Sequence, residues 1–197
     1  LEYGKDMIVV DCGVGFPEED MYGVDLVIPD FTYLVKNQGK LRGFFITHGH
    51  EDHIGSLPYA LQQVLAPVHV PPMTGGLIRL KLEEHGLADK VKLVTHQPGD
   101  VVKAGCFQVE FIHVNHSIAD AVCFCIHTPV GRVIMTGDFK IDPTAEGGMM
   151  DLGRLGVLGK EGVLALLCDS TNVERTGYTP SEQVVAEGMD RQFKNCN

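Results

Sequence analysis

The 197-residue chain has no apolar run approaching the ~18 residues that cross a bilayer. No basic segment followed by an apolar one opens it, so neither membrane nor secretory routing is expected and the protein is expected in the cytoplasm. Its six cysteines, Cys12, Cys106, Cys123, Cys125, Cys168 and Cys196, form no C-x-x-C pair and no disulfide-like spacing. That excludes a disulfide framework and fits reduced thiols. Cys123 and Cys125 would share one strand face and could take a soft metal, but buried core thiols are the better reading. Positive charge is in deficit: 16 Lys and Arg stand against 26 Asp and Glu, a formal charge of -10. This argues against indiscriminate nucleic-acid binding through a broad basic surface, and leaves room for a local phosphate site. With no internal repeat, low-complexity tract or linker, a single domain is expected.

Enough apolar material is present, 44%, to supply a core. Short β-like runs cover Met7 to Asp11, Gly43 to Thr47, Val68 to Val70, Val91 to Thr95, Phe107 to Val114, Ala121 to Thr128, Arg132 to Thr136 and Val163 to Cys168. Pro129-Val130-Gly131 predicts a tight hairpin and hence an antiparallel pair. Helices are predicted from Ile54 to Leu65, from a Thr74 cap to Glu84 with Gly86 just beyond, and from Asp151 to Leu158. The last helix is expected to start at Thr179-Pro180-Ser181-Glu182, a capping box with Pro at the first helical position, and to run to the end. Many strands and few helices predict an α+β or layered αββα architecture. The chain starts at Leu1 rather than Met and its last predicted element reaches the final residue, so an excerpt of a longer protein is expected.

Positions 47 to 55 read Thr-His-Gly-His-Glu-Asp-His-Ile-Gly. Three imidazoles and a carboxylate within six residues are borderline-to-hard donors that suit zinc, manganese or iron, and a folding core gains nothing from them. Given 9 His and 14 Asp in the chain, an accidental His-x-His-x-Asp-His is about a one-in-a-thousand event. The motif follows the predicted strand ending at Thr47, so His48, His50, Asp52 and His53 are expected in a loop at a strand end. Gly49 is read as the tight turn that aims both flanking imidazoles at one ion. Asp52 and His53 would face a second ion, with Glu51 turned to solvent.

One segment cannot complete two coordination shells. His116 and Asp138 each follow a predicted strand, as His48 does. A carboxylate at Asp138 could bridge two ions ~3.5 to 4 Å apart, with an activated water as nucleophile. Strand parity keeps His113 open as an alternative to His116, because it shares a face with Phe107, Val109 and Phe111. His69, His85, His96 and His127 read as surface or satisfied core histidines. Asp11 could orient a ligand imidazole from behind by accepting its second N–H, although a plain turn role is nearly as good a reading.

His48-x-His50-x-Asp52-His53, His116 and Asp138, in that order, resemble the metallo-β-lactamase superfamily. Asp11-Cys12-Gly13, Phe16 to Asp20 with Met21, Gly23-Val24-Asp25 with Ile28-Pro29-Asp30, Asn115-His116-Ser117, Thr136-Gly137-Asp138-Phe139-Lys140 and Asp169-Ser170-Thr171-Asn172 are similar to the ribonuclease J family of the β-CASP branch. The resemblance runs over essentially the whole chain. It implies a four-layer αββα fold, incomplete here at both ends, and residues 1–197 as a partial metallo-β-lactamase domain without its β-CASP and C-terminal domains. It implies two divalent metal ions, zinc foremost with manganese supporting activity, and RNA phosphodiester hydrolysis, both 5′-to-3′ exonucleolytic and endonucleolytic, in RNA processing and decay. His48, His50 and His116 would hold one ion, Asp52 and His53 the other, with Asp138 bridging; the resemblance selects His116 over His113. Asp52 and Asp138 would be the catalytic carboxylates and Asp11 the residue behind a metal-bound imidazole.

The family's closing histidine ligand has no counterpart in these residues, so the fragment is expected to be nearly inactive alone. In the full-length protein the resemblance implies RNA as partner and assembly as a homo-oligomer or with a paralogue. Two other readings stand beside it: a thioester or lactone hydrolase on the same fold, and a non-catalytic module of an RNA-decay assembly.

Overall fold

Side-chain alternation gives each strand of this chain two faces, and the computed structural model, which describes residues 1–145 and 147–196, shows what each face meets. The first sheet holds β1 (Glu2–Tyr3), β2 (Asp6–Val10), β3 (Leu41–Phe45), β4 (Val68–Val70) and β5 (Leu93–Thr95), in that spatial order. Only β1 and β2 are antiparallel; the others run parallel. The second sheet has the order β10-β9-β8-β7-β6, formed by β6 (Val101–Ala104), β7 (Phe107–His113), β8 (Val122–Thr128), β9 (Gly131–Met135) and β10 (Ala165–Leu167). It is antiparallel except for the β9/β10 pair. The expected hairpin is present: Thr128 pairs with Gly131 across Pro129 and Val130.

Phe44 and Phe45 show how β3 divides the interior. Phe44 packs with Met7, Ile46, Val68 and Val70 against α3 (Leu57–Gln63) and α4 (Pro72–Glu84), which contribute Leu57, Leu61, Ile78 and Leu82. Phe45 turns the other way, into the space between the sheets, beside Ile8, Phe107, Val109, Phe111, Val122, Phe124 and Ile126. The opposite face of the second sheet, with Ile112, Cys123, Cys125 and Ile134, is covered by Leu158 of α5 (Leu152–Glu161) and by Met150. The layers are therefore helix, sheet, sheet, helix, and alternation alone accounts for the assignment of each side chain. Cys123 and Cys125 lie in the α5 layer as core thiols, and burial pushes their pKa up to about 12 and about 11.

Helix boundaries depart from expectation where a cap was misplaced. The segment predicted as one helix from Ile54 to Leu65 is two, α2 (Glu51–Ile54) and α3. Thr74 does not cap α4; the helix begins at Pro72 after Pro71, and Thr74 Oγ1 is buried in its first turn with no partner among the described residues. Two consecutive prolines fix φ near the helical value and need no N–H, which lets the helix start earlier. Gly86 does sit just past the end, at φ 64. In α5, predicted from Asp151 to Leu158, Asp151 is the cap rather than the first helical residue, accepting from Arg154 N at 2.8 Å, and the helix runs on to Glu161. The final helix, α6 (Glu182–Lys194), is capped by Ser181, which accepts from Gln183 N, rather than by Thr179. Asn197, in the predicted extent of that helix, lies outside the described residues. A short helix α1 (Thr32–Lys36) and strands β1 and β6 were not predicted. The acidic stretch from Phe16 to Asp30 is largely exposed and tied at its base by the Gly15–Val27 bridge. Among the described residues no helix is long and apolar enough to cross a membrane.

Candidate metal centre

The Thr47 to His53 segment leaves β3 and changes direction once before entering α2. His48 and His50 lie in the connection, whereas Asp52 and His53 lie on the first turn of α2, with His50 as its N-cap residue. Four residues expected together in a loop are thus split between loop and helix. Two carboxylates, Glu51 and Asp52, in the first turn suit the positive end of the helix dipole.

Residues 12 to 14 run beside this turn and hold it. Cys12 N donates to His53 O at 2.7 Å, Val14 N to Glu51 O at 3.2 Å, and Ser56 N to Cys12 O at 3.0 Å. The approach is so close that a Cβ on Gly13 would stand 1.5 Å from the Asp52 carbonyl oxygen. Gly49 is a glycine for a related reason. Its φ is not in the left-handed region, and a Cβ there would meet Leu77 Cδ1 at 2.6 Å, so a larger residue would have to displace the Leu77 side-chain end.

The side chains converge in two overlapping groups. His48 Nε2 lies 3.1 Å from His50 Nδ1, which lies 3.1 Å from His116 Nε2. His48, His53 and Asp138 form the second group. Asp138 Oδ1 is 3.3 Å from His53 Nε2 and Oδ2 is 3.6 Å from His116 Nε2, so one carboxylate faces both groups. Asp138 follows Gly137, which has a φ of 55 and approaches the Thr47 side chain closely. A Cβ on Gly137 would stand 2.9 Å from Thr47 Cβ, which excludes a larger residue there. Asp52 Oδ2 stands 3.7 Å from His53 Nε2 at the open side, with its side chain 51% exposed against 28% for Asp138.

Asp11 fixes the imidazoles from behind. Its Oδ1 accepts from Thr47 N at 2.8 Å, and its Oδ2 accepts from Thr47 Oγ1 at 2.9 Å and from His53 Nδ1 at 2.8 Å. Because the Thr47 hydroxyl proton goes to Asp11, the hydroxyl oxygen must accept from His48 Nδ1, 3.0 Å away. Both rings are therefore held as Nδ1–H tautomers, with the Nε2 lone pairs of His48 and His53 turned to the centre. Asp11 itself adopts φ 57 to make these contacts. Four converging imidazoles, two of them with the Nε2 lone pair turned inward, beside two carboxylates, are a donor set that fits a pair of divalent cations.

The electrostatics match neutral ligands in the first group. Burial, then the neighbouring charges of His53, His116 and His50, push the His48 pKa down to about 2. Burial also lowers that of His116, with Asp138 opposing and His50, Lys140 and His53 adding to the shift. At His53 burial acts downward, but the Asp11 hydrogen bond and the charges of Asp11, Asp138 and Asp52 outweigh it and raise the pKa.

The structure brings His48, His50, His53, His116, Asp138 and, at the rim, Asp52 to one place, with Asp11 behind. His113 is not part of either group. Glu51 is exposed, as expected, yet its carboxylate is engaged by Lys81 of α4 at 2.7 Å. Thr47 was missed, although its position directly before His48 was a usable signal. His69 and His96 pair with each other at 2.9 Å, and His85 bonds the Lys81 carbonyl. A third group, Glu110, Cys125 and His127, lies on the α5 side, but Arg154 already binds Glu110 through two bonds of 2.6 and 2.9 Å. A cavity of about 730 Å³ opens against His116 and Asp138, walled by Lys140, Asp169, Asn172 and Tyr178.

A helix–sheet–sheet–helix sandwich with a His-x-His-x-Asp-His turn at its strand ends defines a class, and the chain belongs to the metallo-beta-lactamase superfamily, whose family model matches residues 1–167. It is similar to ribonuclease J of Synechocystis sp., 47% identical over 199 residues, covering 100% of this chain and 31% of that protein. Ribonuclease J 1 of Streptococcus pyogenes is 45% identical over 189 residues, covering 96% of this chain and 34% of that protein. The chain spans about a third of the length of these curated relatives. Among solved structures, a protein of unknown function from Enterococcus faecalis shares the fold at a TM-score of 0.65 and 18% identity, over 97% of this chain and 52% of that one.

Proposed function

We propose that this chain supplies the metal-binding core of an RNA phosphodiester hydrolase that acts 5′-to-3′ from RNA ends and also within chains, in cytoplasmic RNA processing and decay. The observation that carries the reading is Asp138, whose two oxygens face His53 and His116; the 47% identity to a ribonuclease J supports RNA as the substrate. His48, His50 and His116 would hold one ion, Asp52 and His53 the other, and Asp138 both, with zinc the preferred metal and manganese an alternative. Such a pair supplies Lewis acidity at the phosphoryl oxygens and an acidified water. Asp11 orients His53 directly and His48 through Thr47, so the Nε2 atoms of these two rings would already face the metal. Asp52, at the exposed rim, would face solvent and substrate.

Only three side chains here serve the second ion, so its remaining ligand is proposed to come from outside residues 1–197, and the isolated chain is expected to hydrolyse RNA slowly or not at all. In the longer protein, assembly with itself or with a paralogue is part of the same reading. The test is Asp138→Asn in the longer protein. RNA hydrolysis should fall about 10²- to 10³-fold, the scale of removing one transition-state contact, and bound metal should drop. An unchanged rate with full metal content would overturn the ligand assignment; turnover of a thioester without turnover of RNA would overturn the substrate.

A further inference from the structure

An acidic protein that handles a polyanion needs positive charge placed locally, and the ligand groups are flanked by two cavities in which to look for it. The first is walled by His116, Asp138, Asp142 and Asp169; the second, of about 760 Å³, lies between the residue 113–120 loop and α6. Lys140 is the sole lysine or arginine among the described residues that line either cavity, and it lines both. It follows Asp138 by two residues, and its backbone N donates to Asn115 O at 2.7 Å, which fastens it beside His116. Its ammonium donates to Glu182 Oε1 at 3.1 Å, with both side chains about a third exposed, 35% and 29%.

That ion pair is not what anchors α6. Glu182 N donates to Asp142 Oδ2 at 2.8 Å, and Ser181 and Thr144 hydroxyls are in contact, so the start of the helix is held by backbone and capping bonds. A Lys–Glu pair about a third exposed adds little to stability by itself. A phosphodiester beside the ligand groups would offer the ammonium a comparable anion at little loss.

We propose that Lys140 is a substrate-binding residue that holds a backbone phosphate next to the scissile one, and that Glu182 is the internal anion it exchanges for RNA. This rests on the RNA-hydrolase reading above. The contact is to phosphate, so it is independent of base sequence.

The experiment uses the full-length protein with single-stranded RNA and compares the parent with K140Q, K140R and E182Q across a salt series. For K140Q we expect KM to rise about tenfold with a smaller change in kcat, and the slope of log(kcat/KM) against log salt to become shallower by about 0.7, the single-strand value for one phosphate contact. K140R should restore most of both. E182Q should lower KM several-fold, because the competing anion is gone. A purely structural pair predicts the same sign for both partners. The inference is overturned if K140Q and E182Q both raise KM, or if K140Q leaves the salt slope unchanged. Should K140Q fail to fold, E182Q decides alone: a fall in KM upholds the exchange and a rise overturns it. An Asp138→Asn protein that keeps its rate sinks the underlying reading instead, whatever Lys140 does.

Discussion

The two ligand groups that share Asp138 are built from different materials. His48, His50 and His116 present nitrogen alone, His48 is fully buried, and each nitrogen-to-nitrogen step is 3.1 Å. Around His53 the donors are its own imidazole, the His48 ring shared with the first group, and the carboxylates of Asp138 and Asp52, and the last is half exposed. Imidazole suits zinc, whereas carboxylate also accepts manganese and exchanges water readily. Burial with Thr47 behind makes the first group a fixed holder. The second is the more exposed side, and on the proposed reading it is where substrate and a further ligand would enter. A two-metal site so divided would keep one ion for its own integrity and expose the other to chemistry.

The largest effect expected from this contrast is on metal affinity. His116→Ala should weaken the tighter of two binding steps by at least about 100-fold, more than the loss of an outer hydrogen-bond partner generally costs a site. Asp52→Ala should leave that step intact and weaken the other. Metal titration by calorimetry on the two variants reads both steps. If each variant abolished both steps equally, the two groups would be one cooperative site and the distinction would fall.

A smaller effect should come from the strap that holds α2. Gly13→Ala places a methyl 1.5 Å from the Asp52 carbonyl oxygen, where only backbone can yield. We expect a loss of about 3 kcal/mol in chemical denaturation, the upper range for overpacking, with the second metal step weakened before the first because Asp52 and His53 must shift. A stability within about 0.5 kcal/mol of the parent, the range of neutral surface changes, would mean that the 12–14 strap does not support the open group.

Much of this was legible in sequence because it is local. The strands Val68 to Val70 and Phe107 to Val114 were visible from apolar runs, and β3 is displaced by only two residues. His48, His50, Asp52 and His53 were visible because four ligands within six residues have no role in a core. What stayed hidden depends on residues far apart in the chain. Asp11 was legible as a support for a ligand imidazole, but its bonds to Thr47, 36 residues away, were not, and nothing in Asp11-Cys12-Gly13 announces that its glycine abuts Asp52. β6 was missed because Val101-Val102-Lys103-Ala104 is short, half exposed and lacks clean alternation. The caps at Thr74 and Thr179 were misplaced for a different reason: Pro71 and Pro72 let α4 start earlier, and the bonds of Glu182 to Asp142 and of Ser181 to Thr144 set the start of α6.

The smallest expected effect distinguishes ligand histidines from structural ones. His69 Nδ1 and His96 Nε2 are 2.9 Å apart between the sheets, with His69 stacked on Phe45 and His96 packed at a tilt on Phe111. One ring must donate and the other accept, so the pair tolerates no second proton on the shared contact. Burial, and then the charges of His96 and Lys92, push the His69 pKa down to about 4 from 6.5; burial lowers that of His96 too, against Asp100. The folded state thus binds fewer protons than the unfolded one, and the stabilisation is complete above pH 6.5 and lost as the pH falls toward about 4. Discounted for partial exposure, the loss should be about 2 kcal/mol. In His69→Phe, which keeps a ring over Phe45, the dependence of unfolding free energy on pH should flatten across this window. Added zinc should leave the His69 contribution where it was, because neither ring belongs to a ligand group. If zinc erased the difference between His69→Phe and the parent, His69 would be coupled to the metal centre, and the line drawn between ligand and structural histidines would have to move.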